Sequence, residues 1–136
     1  MSKMYIFPCN PEHFDIEKYF LNNAQIVWRK PSDIEVGDIA YIYIGKTIRE
    51  VKYRCKVVST EVSGDVLEAN AYAIPKGKLA AKCSYVILEL ERTYENGTVT
   101  LPMLKENGMG QFMVPMRAKD SLEKLFIDID NQTGGV

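Results

Sequence analysis

The chain has 136 residues, 46% of them hydrophobic and 26% charged, with a formal net charge of −1. That length fits one domain with a core of its own, and the composition is that of a globular protein. The charge excludes a uniformly basic nucleic-acid binder, and no apolar run reaches the ~18 residues of a membrane span.

The opening Met1–Phe7 is apolar but is broken at once by Pro8, too early for a secretory signal. The expected compartment is therefore the cytoplasm. The three cysteines, Cys9, Cys55 and Cys83, are odd in number and widely spaced. No CxxC pair accompanies them, so the sequence predicts reduced, mostly buried thiols, no zinc site and no cofactor.

Met4–Phe7 reads as a short buried strand stopped by Pro8 and Pro11. Asp15 is placed to cap a short helix carrying Ile16, Tyr19 and Phe20 on one side. Ile26–Trp28 reads as a second strand. Ile34-Glu35-Val36-Gly37-Asp38 is a turn, and Ile39–Ile44 follows, apolar on both faces. That pattern suits a strand with a sheet interior on one side and a helix on the other.

Val51–Val62 alternates with period two, Val51, Tyr53, Cys55 and Val57 on one face and Lys52, Arg54 and Lys56 on the other. Gly64-Asp65 ends it. Tyr85–Tyr94 is a further strand with Val86, Leu88 and Leu90 inward, followed by the hairpin-type turn Glu95-Asn96-Gly97 and a short return over Thr98–Thr100. Leu101–Asn107 is a short helix closed by Gly108. Asp120 or Ser121 caps a last helix bearing Leu122, Leu125 and Phe126. Residues 1–130 thus form one domain, with 131–136 as a frayed tail. The fold class is α+β, mainly β: five to six strands, mostly antiparallel, closing into a small barrel with two to three short helices.

The residues assemble no catalytic machinery. The single histidine, His13, stands between prolines and apolar residues, where capping or surface placement is common. There is no GxSxG, HExxH, P-loop or GxGxxG, and a cysteine nucleophile has only His13 as a base. The expectation is a binding protein and not an enzyme.

Binding a flat ligand needs aromatic faces and a few polar edge groups. Trp28 is followed by Arg29 and Lys30, then Pro31 and Ser32. Phe7 is followed by Pro8, Cys9 and Asn10. Tyr41 and Tyr43 share a strand face. On this pattern alone each aromatic reads as packing before ligand wall, except Trp28, which serves equally well as either. The segment Gly108–Arg117 reads either as a packed loop closing the barrel or as a pocket wall offering Gln111 and Arg117. The stretch Asn70–Ser84 carries Lys76, Lys78 and Lys82 and no acid, as either a phosphate-facing edge or a solvated loop.

The ordered set Tyr5-Ile-Phe-Pro-Cys-Asn-Pro11, Phe14-Asp15, Trp28, Ile34-Glu-Val-Gly-Asp-Ile-Ala-Tyr-Ile-Tyr43 and Tyr53-Arg-Cys-Lys-Val57 resembles the EVE-like members of the PUA-like superfamily. Leu104–Gly108 and the loop through Pro115 resemble the closing segment of that group. The resemblance spans roughly residues 4–117 and implies a PUA-like pseudo-barrel that binds nucleic acid, several members holding a modified base in an aromatic pocket. Typical members carry a Lys-Thr-Glu stretch where this chain has Pro8-Cys9-Asn10, and an Arg-Asn-Tyr segment after the tryptophan that this chain lacks.

Carried over by position, the resemblance implies a base pocket lined by Phe7, Cys9, Asn10, Trp28, Lys30, Ser32, Tyr43 and Gln111. Phosphate contacts fall to Arg29, Lys46, Arg49, Lys76, Lys78, Lys82 and Arg117, which offset the few kcal/mol that extruding a base costs. The expected ligand is a modified base, such as a methylated or hydroxymethylated cytosine in DNA or a modified RNA base. An effector protein such as a nuclease is a possible partner. The alternatives are an enzyme of the same fold acting on a nucleoside or small ligand, and a protein-interaction module.

Overall fold

The computed structural model of the chain describes residues 3–12, 15–29, 33–60, 85–110 and 116–134. Its elements, in chain order, are β1 (Met4–Cys9), α1 (Ile16–Phe20), β2 (Gln25–Arg29), β3 (Ile39–Ile44), β4 (Glu50–Ser59), β5 (Tyr85–Thr93), α2 (Leu101–Glu106), β6 (Met116–Ala118) and α3 (Ser121–Gly134). The six strands form one mixed sheet in the order β2-β5-β4-β3-β1-β6. The fold is α+β, mainly β. Among the described residues no helix is long and apolar enough to cross a membrane.

The sheet is antiparallel except where β1 lies parallel to β3, Met4 opposite Ile39 through Cys9 opposite Ile44. A strand pattern carries no information about its partner's direction, and the sequence reading did not foresee this pair. β6 is antiparallel to β1 but spans only Met4–Ile6. The carbonyls of Lys3 and Cys9 both accept from the β3 side, from Ile39 N and Gly45 N. Odd-numbered residues of β1 therefore bond to β3, and Pro8 turns its missing N–H to the other side, away from that pairing.

β3 is buried along both faces, as its composition predicted. Ala40, Ile42 and Ile44 join Tyr5, Phe7, Cys9, Tyr53, Cys55, Val57, Val86 and Leu88 in one cluster, covered by Ile16 of α1. Ile39 and Tyr41 join Ile6, Leu104, Leu122, Phe126 and Ile129 in a second cluster beneath α2 and α3. Tyr41 stacks on Phe126 with ring centroids 3.9 Å apart. α1 starts where expected, the Asp15 carboxylate accepting from Lys18 N at 3.1 Å.

Val51 departs from its predicted face. The register runs Ile42 opposite Tyr53 and then Tyr43 opposite Val51. Lys52 is the extra residue of a β-bulge, and the bulge flips Val51 from the Tyr53 face to the helix side. Lys52 is also not a solvated outward lysine: it is 7% exposed, and its ammonium donates to Asn96 Oδ1 at 2.6 Å. A buried cation needs such a partner.

The Val36-Gly37-Asp38 turn has a structural task. Gly37 has φ +95°, a region that strains any residue with a Cβ. Asp38 is buried, and its two carboxylate oxygens accept from Lys3 N at 2.9 Å and Glu35 N at 2.8 Å. The turn thereby fixes the start of β3 against the start of β1, and so sets the register that brings their far ends together.

α3 continues through Gly134, beyond the point where the sequence suggested a tail.

Candidate functional site

The ends of β1 and β3 open into a cavity of about 680 Å³. Pro8, Cys9 and Asn10 come from the exit of β1, Tyr43 from β3, and Gly45 and Lys46 from the turn after it. Leu101 and Lys105 of α2, with Met109 and Gly110 beyond it, complete the described lining. The volume lies in the ~300–1,000 Å³ range of small-ligand sites.

Local sequence explains each wall. Cys9 O accepts from Gly45 N at 3.0 Å, tying the β1 exit to the turn. In that turn Lys46 and Arg49 have φ of 61° and 52°, unusual for residues with side chains. Arg49 Nε donates to Lys46 O at 2.8 Å and braces the turn. α2 ends on Gly108, φ 99°. Met109 N bonds to Leu104 O at 3.0 Å and Gly108 N to Lys105 O at 3.1 Å, the paired bonds of a Schellman motif. The motif packs Met109 beside Leu104 and delivers it to the cavity wall.

The chemistry of the lining is apolar with a cationic rim. Lys46 and Lys105 are the charged residues among the described lining, both basic and exposed. Lys46 Nζ lies 3.9 Å from Glu12 Oε2, with the two side chains 51% and 68% exposed. Such a pair is worth at most about 1 kcal/mol and leaves the lysine available to a ligand. Asn10 Oδ1 accepts from Glu12 N at 3.0 Å, which leaves the amide NH₂ end as the donor. Burial, followed by the Asp15 charge, pushes the Cys9 thiol up to about 12, so it is protonated at neutral pH. Burial raises the Tyr43 hydroxyl as well, with Arg49 opposing, and Tyr43 is a neutral ring.

The cavity gathers Cys9, Asn10, Tyr43 and Lys46 from the residues chosen on sequence. Phe7 has no exposed surface; it lies in the core beneath. Trp28 is not in this lining: it packs edge-on against Phe7, centroids 5.9 Å apart. Arg49 lies in the adjoining turn. Arg117 is exposed on β6, opposite Tyr5. Lys30, Ser32, Lys76, Lys78, Lys82, Gln111 and His13 lie outside the described residues, as does the side chain of Arg29. Leu101, Lys105 and Met109 were missed. α2 carries no functional mark in the sequence, and only its Asn107-Gly108 stop signals that Met109 is turned back toward the helix.

A second cavity, about 400 Å³, lies at the turn into β2, lined by Asn22–Val27 and Ile87. It contains none of the sequence-chosen residues and no charged side chain among those described.

No family model and no curated protein matches the chain. Solved structures do. The ASCH protein of Zymomonas mobilis superposes with a TM-score of 0.64 at 11% identity, over 93% of this chain and 94% of that one. A hypothetical protein from Leishmania major gives 0.66 at 17% identity over 98% of both chains. Rpa0253 of Rhodopseudomonas palustris gives 0.65 at 10% identity over 97% and 95%. At these identities the likeness is one of fold. ASCH domains belong to the PUA-like superfamily, whose fold EVE domains share. The chain has the PUA-like fold.

Proposed function

We propose that this chain is an EVE-like nucleic-acid-binding domain that seats a modified base in the cavity at the ends of β1 and β3. The observation that carries the reading is the convergence of Cys9, Asn10, Tyr43 and Lys46 on one cavity from two strands set side by side. Tyr43, Leu101 and Met109 offer ring and apolar surface for a base, worth about 1–3 kcal/mol when a base stacks on an aromatic side chain. Asn10 offers a donor to its edge, and Lys46 and Lys105 offer charge to the flanking phosphates. A methyl group on the base adds roughly 0.8 kcal/mol in apolar surroundings. That is under tenfold, so discrimination against the plain base rests on shape.

The domain acts by binding and not by catalysis. Two lysines, a protonated thiol and a neutral tyrosine make up the reactive groups among the described lining, a set suited to holding an anion. Passing the signal on falls to an effector protein.

The test is fluorescence anisotropy with short DNA and RNA oligonucleotides, plain or carrying 5-methylcytosine, 5-hydroxymethylcytosine or N6-methyladenine, at two salt concentrations. The expected result is tighter binding to one modified strand that weakens as salt rises. Absence of binding to all of them at low salt overturns the reading.

A further inference from the structure

Two cations line the cavity, Lys46 in the turn after β3 and Lys105 on α2, together with apolar surface from Tyr43, Leu101 and Met109. An internal phosphodiester carries one charge and continues as chain in both directions. A phosphate monoester carries close to two charges at neutral pH and ends the chain. Two lysines lining one concavity match the second kind.

Two further features present Lys46 to such a group. The Lys46 turn is held in place by Arg49 and by the Cys9–Gly45 hydrogen bond, so one cation is presented on a braced loop. Glu12 is the acid within ion-pair distance of Lys46, and at 3.9 Å its hold is weak enough for a phosphate to displace it.

We infer that the cavity takes a nucleotide unit ending in a phosphate monoester, the phosphate bridging Lys46 and Lys105 and the base lying against Tyr43 and Met109. The inference rests on the nucleotide-binding reading above and narrows its ligand to a strand end or a free mononucleotide.

The test compares short oligonucleotides of one sequence with a 5′-phosphate, a 3′-phosphate or hydroxyls at both ends, alongside free nucleoside monophosphates and nucleosides. Full-length protein is titrated at pH 7.5 and pH 5.5. The expected result is a preference of about tenfold or more for one phosphorylated end, the scale of one charge-assisted contact. That preference shrinks at pH 5.5, below the second phosphate ionisation near pH 6. It falls in both Lys46→Ala and Lys105→Ala, each checked for unchanged thermal unfolding. Mononucleotide binding equal to that of the phosphorylated strand assigns the source to free nucleotides; its absence assigns it to strand ends. Equal affinity for phosphorylated and hydroxyl-ended strands, with Tyr43→Ala still weakening both, overturns the inference and leaves the base-binding reading standing. Binding of none of the probes overturns both.

Discussion

The carboxylate of Asp130, near the end of α3, accepts a hydrogen bond from the guanidinium of Arg54 on β4 at 2.9 Å. The same carboxylate takes the Tyr41 hydroxyl at 2.8 Å, the Tyr94 hydroxyl, and Arg92 at 3.4 Å. Arg54 and Arg92 are directly opposite across β4 and β5, a like-charge pair that costs stability alone. Asp130 neutralises them and pins the last helix to the sheet.

Removing that carboxylate takes the acceptor from Arg92 and two hydroxyls and leaves Arg54 with Glu91, 3.3 Å away. Breaking a buried pair costs about 3–5 kcal/mol, and the quarter-exposed arginines lower the figure to about 2–3 kcal/mol. Asp130→Ala is expected to lower the unfolding free energy by that amount, read as a lower urea midpoint with an unchanged slope. Arg92→Gln, which relieves the like-charge pair, is expected to cost less than half as much.

Stability is expected to fall in alkali. Burial holds the Cys9 thiol at about 12, from 9.0, and the Tyr53 hydroxyl at about 12, from 10.0. Burial, then hydrogen bonding to Asp130, moves Tyr41 and Tyr94 the same way. All four keep their protons when folded at a pH where the unfolded chain has lost them. The folded state then binds more protons, and stability declines as pH rises. These groups contribute no pH dependence below about pH 8 and a progressive loss from about pH 9 to about 12. Urea midpoints measured across that range check the sign; a midpoint that holds constant or rises above pH 9 contradicts it.

Gly108 and Gly110 separate backbone strain from space. A Cβ at either meets nothing within 4 Å, but only Gly108 has a positive φ. Gly108→Ala is expected to cost about 1–2 kcal/mol and, by loosening the turn that places Met109, to weaken ligand binding. Gly110→Ala is expected to stay within about 1 kcal/mol of wild type. Thermal unfolding of the two variants makes the comparison.

Local pattern made much of this architecture legible. β3 was recognisable because six apolar residues in a row need cover on both faces, and Asp15 because a helix start needs an acceptor. Long-range choices were not. The β1–β3 pairing is parallel because the Asp38 turn anchors the two starts together, which no window along the chain records. β6 is three residues long, too short for alternation to register. The bulge at Lys52 is invisible to a period-two count, and it moved Val51. Asp130 looks like any surface acid until partners 36 to 89 residues away close on it. At the site, the β1 exit and Tyr43–Lys46 were legible, whereas Lys105 and Met109 depend on where α2 lands. Trp28, singled out as a lone tryptophan beside basic residues, meets Phe7 edge-on and is not among the described lining of this cavity.

The central claim is that ligands enter where β1 and β3 end. The most direct measurement is an amide chemical-shift titration of the labelled protein with a short oligonucleotide at low salt. The account predicts shifts concentrated at Asn10, Tyr43, Gly45, Lys46, Lys105, Met109 and Gly110, with Asn22–Val27 unmoved. Shifts confined to any other surface, or none at all, would contradict it.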